Sequence, residues 1–282
     1  MRAVMFLLAA LPLVAQPFAF RERSADTLEL TDRGAVVFAY NHGMILQEGA
    51  PANLRRSGYL HPVHAPNGAI VTDDFPKDHY HHRGISWMWP VVMIDGVRHD
   101  LWVLRGIRAR FVRWTERVAT GRNATLGVEN GWFTGEMQVV REHVTIRVHP
   151  VAGNRRDMDF TLRFESLGKA MGLSGSPDQN KGYGGFNIRF GPRENTVIRT
   201  APGEQASDSD LKPQPWAELA GTFGSQRAGV RITVDSANPG FPNGWCLRHY
   251  GFLGVSFPGL GTHTLEPSRP LELRYRVTLF SE

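Results

Sequence analysis

The chain has 282 residues, of which 41% are hydrophobic and 10% aromatic, enough for a buried core in one large domain. The 30 glycines and 18 prolines are spread between apolar segments, which indicates turns and argues against a low-complexity or disordered chain. The net charge of +5 comes from arginines scattered among apolar residues and not from a basic cluster interleaved with aromatics. The composition therefore predicts no nucleic-acid partner.

The N-terminal segment, residues 1–15, reads MRAVMFLLAALPLVA. One basic residue is followed by an apolar run that ends in small residues and is short for a membrane span. This pattern is typical of a secretory signal peptide cleaved after Ala15, although a strand or helix of the folded domain is the alternative. We therefore expect an exported protein, periplasmic or extracellular, whose residues 16–282 form a single β-sandwich domain without a further membrane span.

Alternation of polar and apolar residues dominates the remainder of the chain, and helical periodicity is hard to find. Such segments, bounded by Gly, Pro, Asn or Asp, are typical of half-buried strands. Ten or more in series predict an all-β fold of large antiparallel sheets packed as a sandwich or a barrel, of which we expect the sandwich. The segments are GAVVFAY (34–40), GAIVTDDF (68–75), RGIRARFVRW (105–114), GEMQVVREHVTIRVHP (135–150), RDMDFTLRFESL (156–167), GGFNIRFG (184–191), NTVIRTAPG (195–203), AGVRITVDS (228–236), YGFLGVSFPG (250–259) and PLELRYRVTLF (270–280).

A histidine block stands out in residues 74–90, DFPKDHYHHRGISWMWP. His79, His81 and His82 are three of only 11 histidines in the chain. If the block is an extended strand, His79 and His81 project to one face and His82 to the other. An imidazole titrates near neutrality and can give or take the proton of a sugar hydroxyl or ring oxygen. The block therefore predicts acid/base catalysis or substrate binding, with a purely structural hydrogen-bonded cluster as one alternative.

A divalent metal is the second alternative, because the spacing of His79 and His81 suits a chelate. Such a metal would act as a Lewis acid on a water or a sugar hydroxyl. Its remaining ligands would come from His61, His64, Glu136, Glu142 or His249.

Further site residues are predicted from their chemistry. The planar guanidinium of Arg83 suits vicinal hydroxyls or a carboxylate, and Trp87 suits either a stacking platform for a sugar or the core. Tyr183 lies among the glycines of KGYGG, where the backbone turns tightly or approaches a ligand. Because burying unpartnered polar groups costs about 1–3 kcal/mol each, we expect three regions to converge on one cleft. These regions are residues 61–64, 79–83 and 183–187.

The only cysteine, Cys246, lies in an apolar stretch and is expected to be a buried, inert thiol. A chain with one cysteine also has no internal disulfide bond.

Three runs resemble the PmoA-like family of bacterial proteins, namely residues 58–89, KGYGGFNIRFG and HYGFLGVSFPG. The order of HPVHAPNG, HHRG and TLEPSRPLELRYRV is also similar, more remotely, to the galactose mutarotase-like supersandwich. The resemblance implies that fold and a carbohydrate or small polyol ligand. It also implies a sugar epimerase, lyase or hydrolase-like enzyme, with a non-catalytic carbohydrate-binding protein as the alternative. From their own chemistry, the predicted catalytic residues are His79, His81, His82 and Arg83, with His81 or His82 moving protons and Arg83 orienting the substrate. The predicted substrate-binding residues are His61, His64, Trp87, Tyr183, Asn187 and His249.

Overall fold

A computed structural model describes residues 17–282, which are folded almost entirely into β-strands. The predicted signal peptide lies outside the described residues. Within residues 17–282 no helix is long and apolar enough to cross a membrane, and the helices present there are two short 3-10 turns, η1 (Ala52–Leu54) and η2 (Asp178–Asn180). The strands are β1 (Phe18–Ser24), β2 (Thr27–Asp32), β3 (Ala35–Asn41), β4 (Tyr59–Val63), β5 (Ile85–Met88), β6 (Val91–Ile94), β7 (Val97–His99), β8 (Arg108–Ala119), β9 (Ala124–Thr134), β10 (Met137–Val148), β11 (Arg155–Ser166), β12 (Met171–Ser174), β13 (Gly185–Arg189), β14 (Glu194–Thr200), β15 (Gly203–Glu204), β16 (Ser209–Asp210), β17 (Trp216–Phe223), β18 (Gln226–Val234), β19 (Gly244–Arg248), β20 (Phe252–Ser256), β21 (Thr262–Leu265) and β22 (Leu271–Ser281).

Two nine-stranded sheets and one four-stranded sheet make up the fold. The first sheet has the order β1-β2-β3-β4-β5-β13-β20-β19-β16, and the second has the order β15-β14-β17-β18-β22-β11-β10-β9-β8. The small sheet has the order β21-β12-β6-β7. The strand pairs are antiparallel, as in β13 against β5 and β20, so the all-β antiparallel sandwich predicted from the sequence is confirmed.

The core lies between the two large sheets, whose inward side chains interdigitate. Phe186 of β13 contacts Phe160 of β11 at 5.2 Å between ring centroids and stacks on Tyr275 of β22 at 4.5 Å. Strand β11 shows why the sequence folds this way, because its buried residues alternate with half-exposed ones along its length. Each large apolar side chain buried in this layer contributes about 1.5–3 kcal/mol.

All but one of the alternating segments coincide with observed strands. The exception is residues 68–75, GAIVTDDF, where the chain forms only the isolated bridges Ile70–His64 and Thr72–Phe190. The strand prediction for this segment is wrong, because residues 73–84 leave the sheet and fold back as a compact loop. This loop, which we call the histidine loop, positions the candidate site.

Candidate functional site: a pocket of histidines and aromatic rings

The histidine loop (residues 73–84) is a series of turns and not an extended strand. The backbone N–H of His79 donates to the carbonyl of Pro76 at 2.9 Å, and that of His82 donates to the carbonyl of His79 at 2.8 Å. Phe75 has a φ of 52°, in the left-handed region that turns the chain sharply. The predicted alternation of the histidines on two faces of a strand is therefore wrong, and the turns bring all three rings together.

The three imidazole rings form one cluster with neighbouring aromatic residues. The rings of His79 and His82 are stacked, with 4.7 Å between their centroids and an interplanar angle of 5°. The ring of His81 meets that of His82 edge-on, with 4.6 Å between centroids. The ring of Tyr250 stacks with that of His79 at 5.1 Å and lies 6.5 Å from that of His82, and Phe252 stacks on His82 at 5.0 Å between ring centroids. The cluster forms one wall of a pocket that combines flat aromatic surfaces with titratable nitrogens.

The pocket has a volume of about 240 Å³ and is formed where remote segments meet at strands β19 and β20. Trp102 comes from the connection between β7 and β8, and Tyr183 comes from the loop before β13. Their ring centroids lie 5.0 Å apart. The lining residues are His79, His81, His82, Trp102, Lys181, Tyr183, Cys246, Arg248, Tyr250 and Phe252.

His79 is backed by a charged pair. Its Nδ1 lies 3.0 Å from Oδ2 of Asp78, close but not aligned as a hydrogen bond. Nη2 of Arg189 donates to both oxygens of Asp78 at 2.8 Å. Burial acts to raise the pKa of Asp78, but Arg189 and His79 outweigh it and hold this pKa below its usual value. Asp78 is therefore a carboxylate at neutral pH, and it lies beside Nδ1 of His79.

His81 and His82 are held in their neutral form. Burial, aided by the positive charges of nearby histidines and arginines, lowers the pKa of His81 to about 4 and that of His82 well below its usual value. Both imidazoles are consequently neutral at pH 7. Nδ1 of His82 is buried and has no hydrogen-bond partner within the described residues, which leaves this nitrogen for a ligand or a water.

Arg83 does not line the pocket, which corrects its predicted role as a substrate-orienting residue. Its side chain is fully buried, and its Nη atoms donate to the carbonyls of Leu54, Tyr80 and His82 at 2.6–2.7 Å. Its Nε lies 3.4 Å from Oδ1 of Asp74. A guanidinium with these partners cannot reach a ligand and instead holds the histidine loop against the rest of the fold.

The structure places the other predicted binding residues outside the pocket. Nδ1 of His61 lies 3.0 Å from the hydroxyl of Thr72, whereas His64 lines a separate groove with Pro62 and Ile70. His249 contacts Asp208 at 2.8 Å. The predicted common cleft thus contains His79, His81, His82 and Tyr183 but neither His61, His64, His249 nor Arg83.

Trp87 and Asn187 belong to the packing of the first sheet. Trp87 is 5% exposed and stacks on Phe186 at 6.4 Å. The side chain of Asn187 accepts from the hydroxyl of Ser86 at 3.0 Å and donates to the carbonyl of Gly185. Of the two roles considered for Trp87, the structure supports the core.

Several pocket residues were missed by the sequence prediction. Tyr250, Phe252 and Arg248 come from a segment that the sequence marks only as a strand and its turn, and Trp102 comes from a turn with no motif. Lys181 lies in KGYGG, two residues before the predicted Tyr183. Its place in this motif could have identified it as a pocket residue. Cys246 is buried as predicted, and burial raises the pKa of its thiol to about 12, so it is protonated and inert although it lines the pocket.

The histidine cluster does not fit a metal. Within residues 17–282, no group of three or more His, Cys, Asp or Glu side chains is arranged to hold one. His79 and His82 lie parallel and stacked, so the in-plane lone pairs of their nitrogens do not converge on one point. A metal held by His79 and His81 would need a third protein ligand, and none is arranged beside them within residues 17–282, so this alternative has no support from the geometry.

A family model described as "Family of unknown function (DUF6807)" matches residues 27–282. The chain therefore belongs to this family. The PmoA-like name suggested by the sequence finds no support in the comparison. No curated protein matches the chain.

Solved structures with a similar fold include a galactose mutarotase related enzyme from Lactobacillus acidophilus. It is 8% identical, with 94% of this chain and 97% of that protein covered and a TM-score of 0.41. A heparan sulfate lyase HepC mutant from Pedobacter heparinus is 10% identical, with a TM-score of 0.40 and all of this chain covered. The chain spans only 37% of that lyase. At these identities and scores the likenesses carry no argument about activity, which has to come from the pocket.

Proposed function

We propose that this protein is a carbohydrate-active enzyme that binds a sugar or sugar derivative in the histidine pocket and transfers a proton through His79. The observation that carries the proposal is the Asp78–His79 pair, held by Arg189 and opening onto an aromatic-lined cavity. A histidine oriented by a carboxylate is suited to general acid/base catalysis. Because Nδ1 of His79 faces Asp78, Nε2 is the nitrogen left for the ligand.

The walls of the pocket suit a sugar ring. Trp102, Tyr183 and Tyr250 offer flat apolar surfaces next to hydroxyl and imidazole groups, and a sugar ring presents C–H faces together with hydroxyls. Aromatic side chains with polar tips serve both kinds of contact. The neutral imidazoles of His81 and His82 each offer one donor and one acceptor nitrogen to ligand hydroxyls.

The three histidines have different proposed roles because their surroundings differ. A base with a pKa far below the working pH takes up a proton poorly, so His81 and His82 are suited to hydrogen bonding and not to proton transfer. Of the three histidines, His79 is the one that lies beside a carboxylate, that of Asp78 at 3.0 Å. The sequence assigned proton transfer to His81 or His82, whereas the geometry favours His79.

Hydrolysis by a pair of carboxylates is not supported. No Asp or Glu is among the residues that line the pocket, whereas glycosidases of the common type flank the scissile bond with two carboxyl groups. The pocket instead suits reactions that need one base and several hydrogen-bond donors, such as epimerisation or elimination.

A second candidate function is a non-catalytic carbohydrate-binding protein, favoured by the number of aromatic rings in the pocket. The two candidates differ in what His79 does. In an enzyme, His79→Ala removes turnover while leaving most of the binding, whereas in a binding protein no sugar is converted.

The test is a screen of reducing and oxidised sugars for conversion by the wild-type protein and by His79→Ala. We expect conversion of at least one sugar and a loss of about 10²–10⁴-fold in His79→Ala, the usual contribution of general acid/base catalysis. The matched control is His149→Ala, because Nε2 of His149 lies 2.7 Å from Asp159 at similar exposure on the second sheet. Binding without conversion would favour the second candidate, and neither binding nor conversion would overturn both.

A further inference from the structure

The charge of the pocket is one-sided. Two cationic side chains, Lys181 and Arg248, line it together with the histidines, and no lining residue carries a carboxylate. After burial, the groups that lower the pKa of His81 are His79 and the guanidinium groups of Arg56, Arg83 and Arg189. Both observations describe a cavity with a positive potential.

Arg248 and Lys181 do not contribute equally to this charge. Nη2 of Arg248 donates to Oδ1 of Asp210 at 2.6 Å, and Nη1 donates to the carbonyls of Ser209 and Leu247 at 3.0 Å. The carboxylate of Asp210 therefore compensates most of the charge of Arg248. The ammonium of Lys181 has no ion-pair or hydrogen-bond partner among residues 17–282, so Lys181 is the uncompensated cation of the pocket.

Lys181 is held at the pocket by its backbone. Its N–H donates to the carbonyl of Asp178 at 3.1 Å, and the next two residues bond to Ser176, with Gly182 donating at 2.8 Å and Tyr183 accepting at 2.9 Å. Gly182 has a φ of 59°, and a Cβ at this position would lie 2.7 Å from Cδ2 of Leu211, too close for a larger residue. The loop is thus fixed where Lys181 leaves it, and the half-buried side chain loses less freedom on binding than one on an open surface.

We propose that the sugar bound in this pocket carries an anionic substituent and that Lys181 recognises it. The inference rests on the proposed function, since it assigns the class of sugar to the same site. None of the lining residues carries a carboxylate, and the nearby Asp78 is already paired with Arg189. An unpaired ammonium at such a half-enclosed cavity favours an anion and disfavours a cationic ligand. A uronic acid carboxylate, a sugar sulfate and a sugar phosphate share this chemistry.

The test compares sugars that differ only in charge. The pairs are uronic acid oligosaccharides with their methyl esters, sulfated sugars with their desulfated forms, and sugar phosphates with the parent sugars. Binding is measured by titration calorimetry for the wild-type protein and for Lys181→Met, Lys181→Arg and Lys169→Met. Lys169 is a control of equal charge, because it is exposed and pairs with Asp95 on the surface.

We expect the charged member of at least one pair to bind about tenfold more tightly than its neutral partner, as for about 1.4 kcal/mol of added interaction. Lys181→Met should abolish this preference, Lys181→Arg should retain most of it, and Lys169→Met should leave it unchanged. The pair that shows the preference distinguishes the carboxylate, the sulfate and the phosphate.

Equal binding of the charged and neutral members would overturn the inference while leaving the proposed function intact. A preference that survives in Lys181→Met would also overturn it, because the anion would then be recognised elsewhere. Binding of no sugar in any pair would overturn the proposed function and the inference that rests on it.

Discussion

The histidine loop has two halves with opposite environments, although they are neighbours in the sequence. Asp74 and Arg83, near its ends, are 7% and 0% exposed, and the Arg83 guanidinium also lies over the ring of Phe75 at 3.3 Å. At its tip, the side chains of Asp78 and His79 are 47% and 37% exposed. Both halves contain an acid and a base, but only the tip is open to a ligand. The buried ends with Asp74 and Arg83, which we call the anchor half, fix the position of the loop. The exposed tip with Asp78 and His79 carries the groups that can contact a ligand.

The largest expected loss of stability comes from a substitution in the anchor half. Arg83→Ala should lower the free energy of unfolding by about 3–5 kcal/mol, because it leaves the buried Asp74 without its cation and three carbonyls without a donor. Chemical denaturation with urea measures this change.

The control for that substitution is Arg122→Ala, since Arg122 is exposed in the turn between β8 and β9. It should change the free energy of unfolding by less than about 0.5 kcal/mol. If Arg83→Ala behaved like the control, the anchor would have no structural role.

Acidification should have the next largest effect. Burial lowers the pKa of His61 and of His81 to about 4, so the unfolded chain takes up their protons first and stability falls as the pH falls from about 6.5 to 4. Burial raises the pKa of Asp74 to about 6, which acts in the opposite direction, because the folded state binds this proton more readily. Each shift corresponds to about 3 kcal/mol.

The sum for these three groups is a net loss of about 3 kcal/mol between pH 6.5 and pH 4. Urea denaturation at several pH values measures it, and His81→Gln should make the dependence shallower. A free energy of unfolding that stays constant or rises over this range would show that the histidines are not buried in their neutral form.

The smallest expected effect on stability is at the tip of the loop. His79→Ala should lower the free energy of unfolding by about 1 kcal/mol or less, the size of a partly exposed ion pair with an aromatic contact. Thermal unfolding of His79→Ala and Arg83→Ala, measured in parallel, compares the two losses of stability directly. A loss at His79 as large as at Arg83 would mean that the histidine cluster is structural, and the division of the loop would be wrong.

Much of the fold could be predicted because alternation reports a strand with one buried face. Strands β10 and β11 follow this pattern and were found. Strands β2 and β9 were not, because β2 is buried along its whole length and most of β9 is buried on both faces. A strand without an exposed face shows no alternation and resembles any apolar run.

The site was predictable only in part, for a different physical reason. His79, His81, His82 and Tyr183 are visible as unusual residue types in short motifs. Tyr250 and Trp102 become site residues only because the sheet order β13-β20-β19 and the β7–β8 connection bring their segments together, and one sequence does not determine that order. Arg83 was misassigned because adjacency in the chain says nothing about burial in a turn.

The central claim is that the pocket formed by His79, His81 and His82 is where a sugar binds. Nitrogen-15 NMR of the histidine side chains, during titration with the sugars that the screen identifies, tests it most directly. We expect the imidazole signals of His79, His81 and His82 to shift with the sugar concentration, whereas those of His149 and His263, which lie outside the pocket, stay in place. Shifts confined to histidines outside the pocket, or bound sugar that leaves the three pocket histidines unchanged, would show that the sugar binds elsewhere.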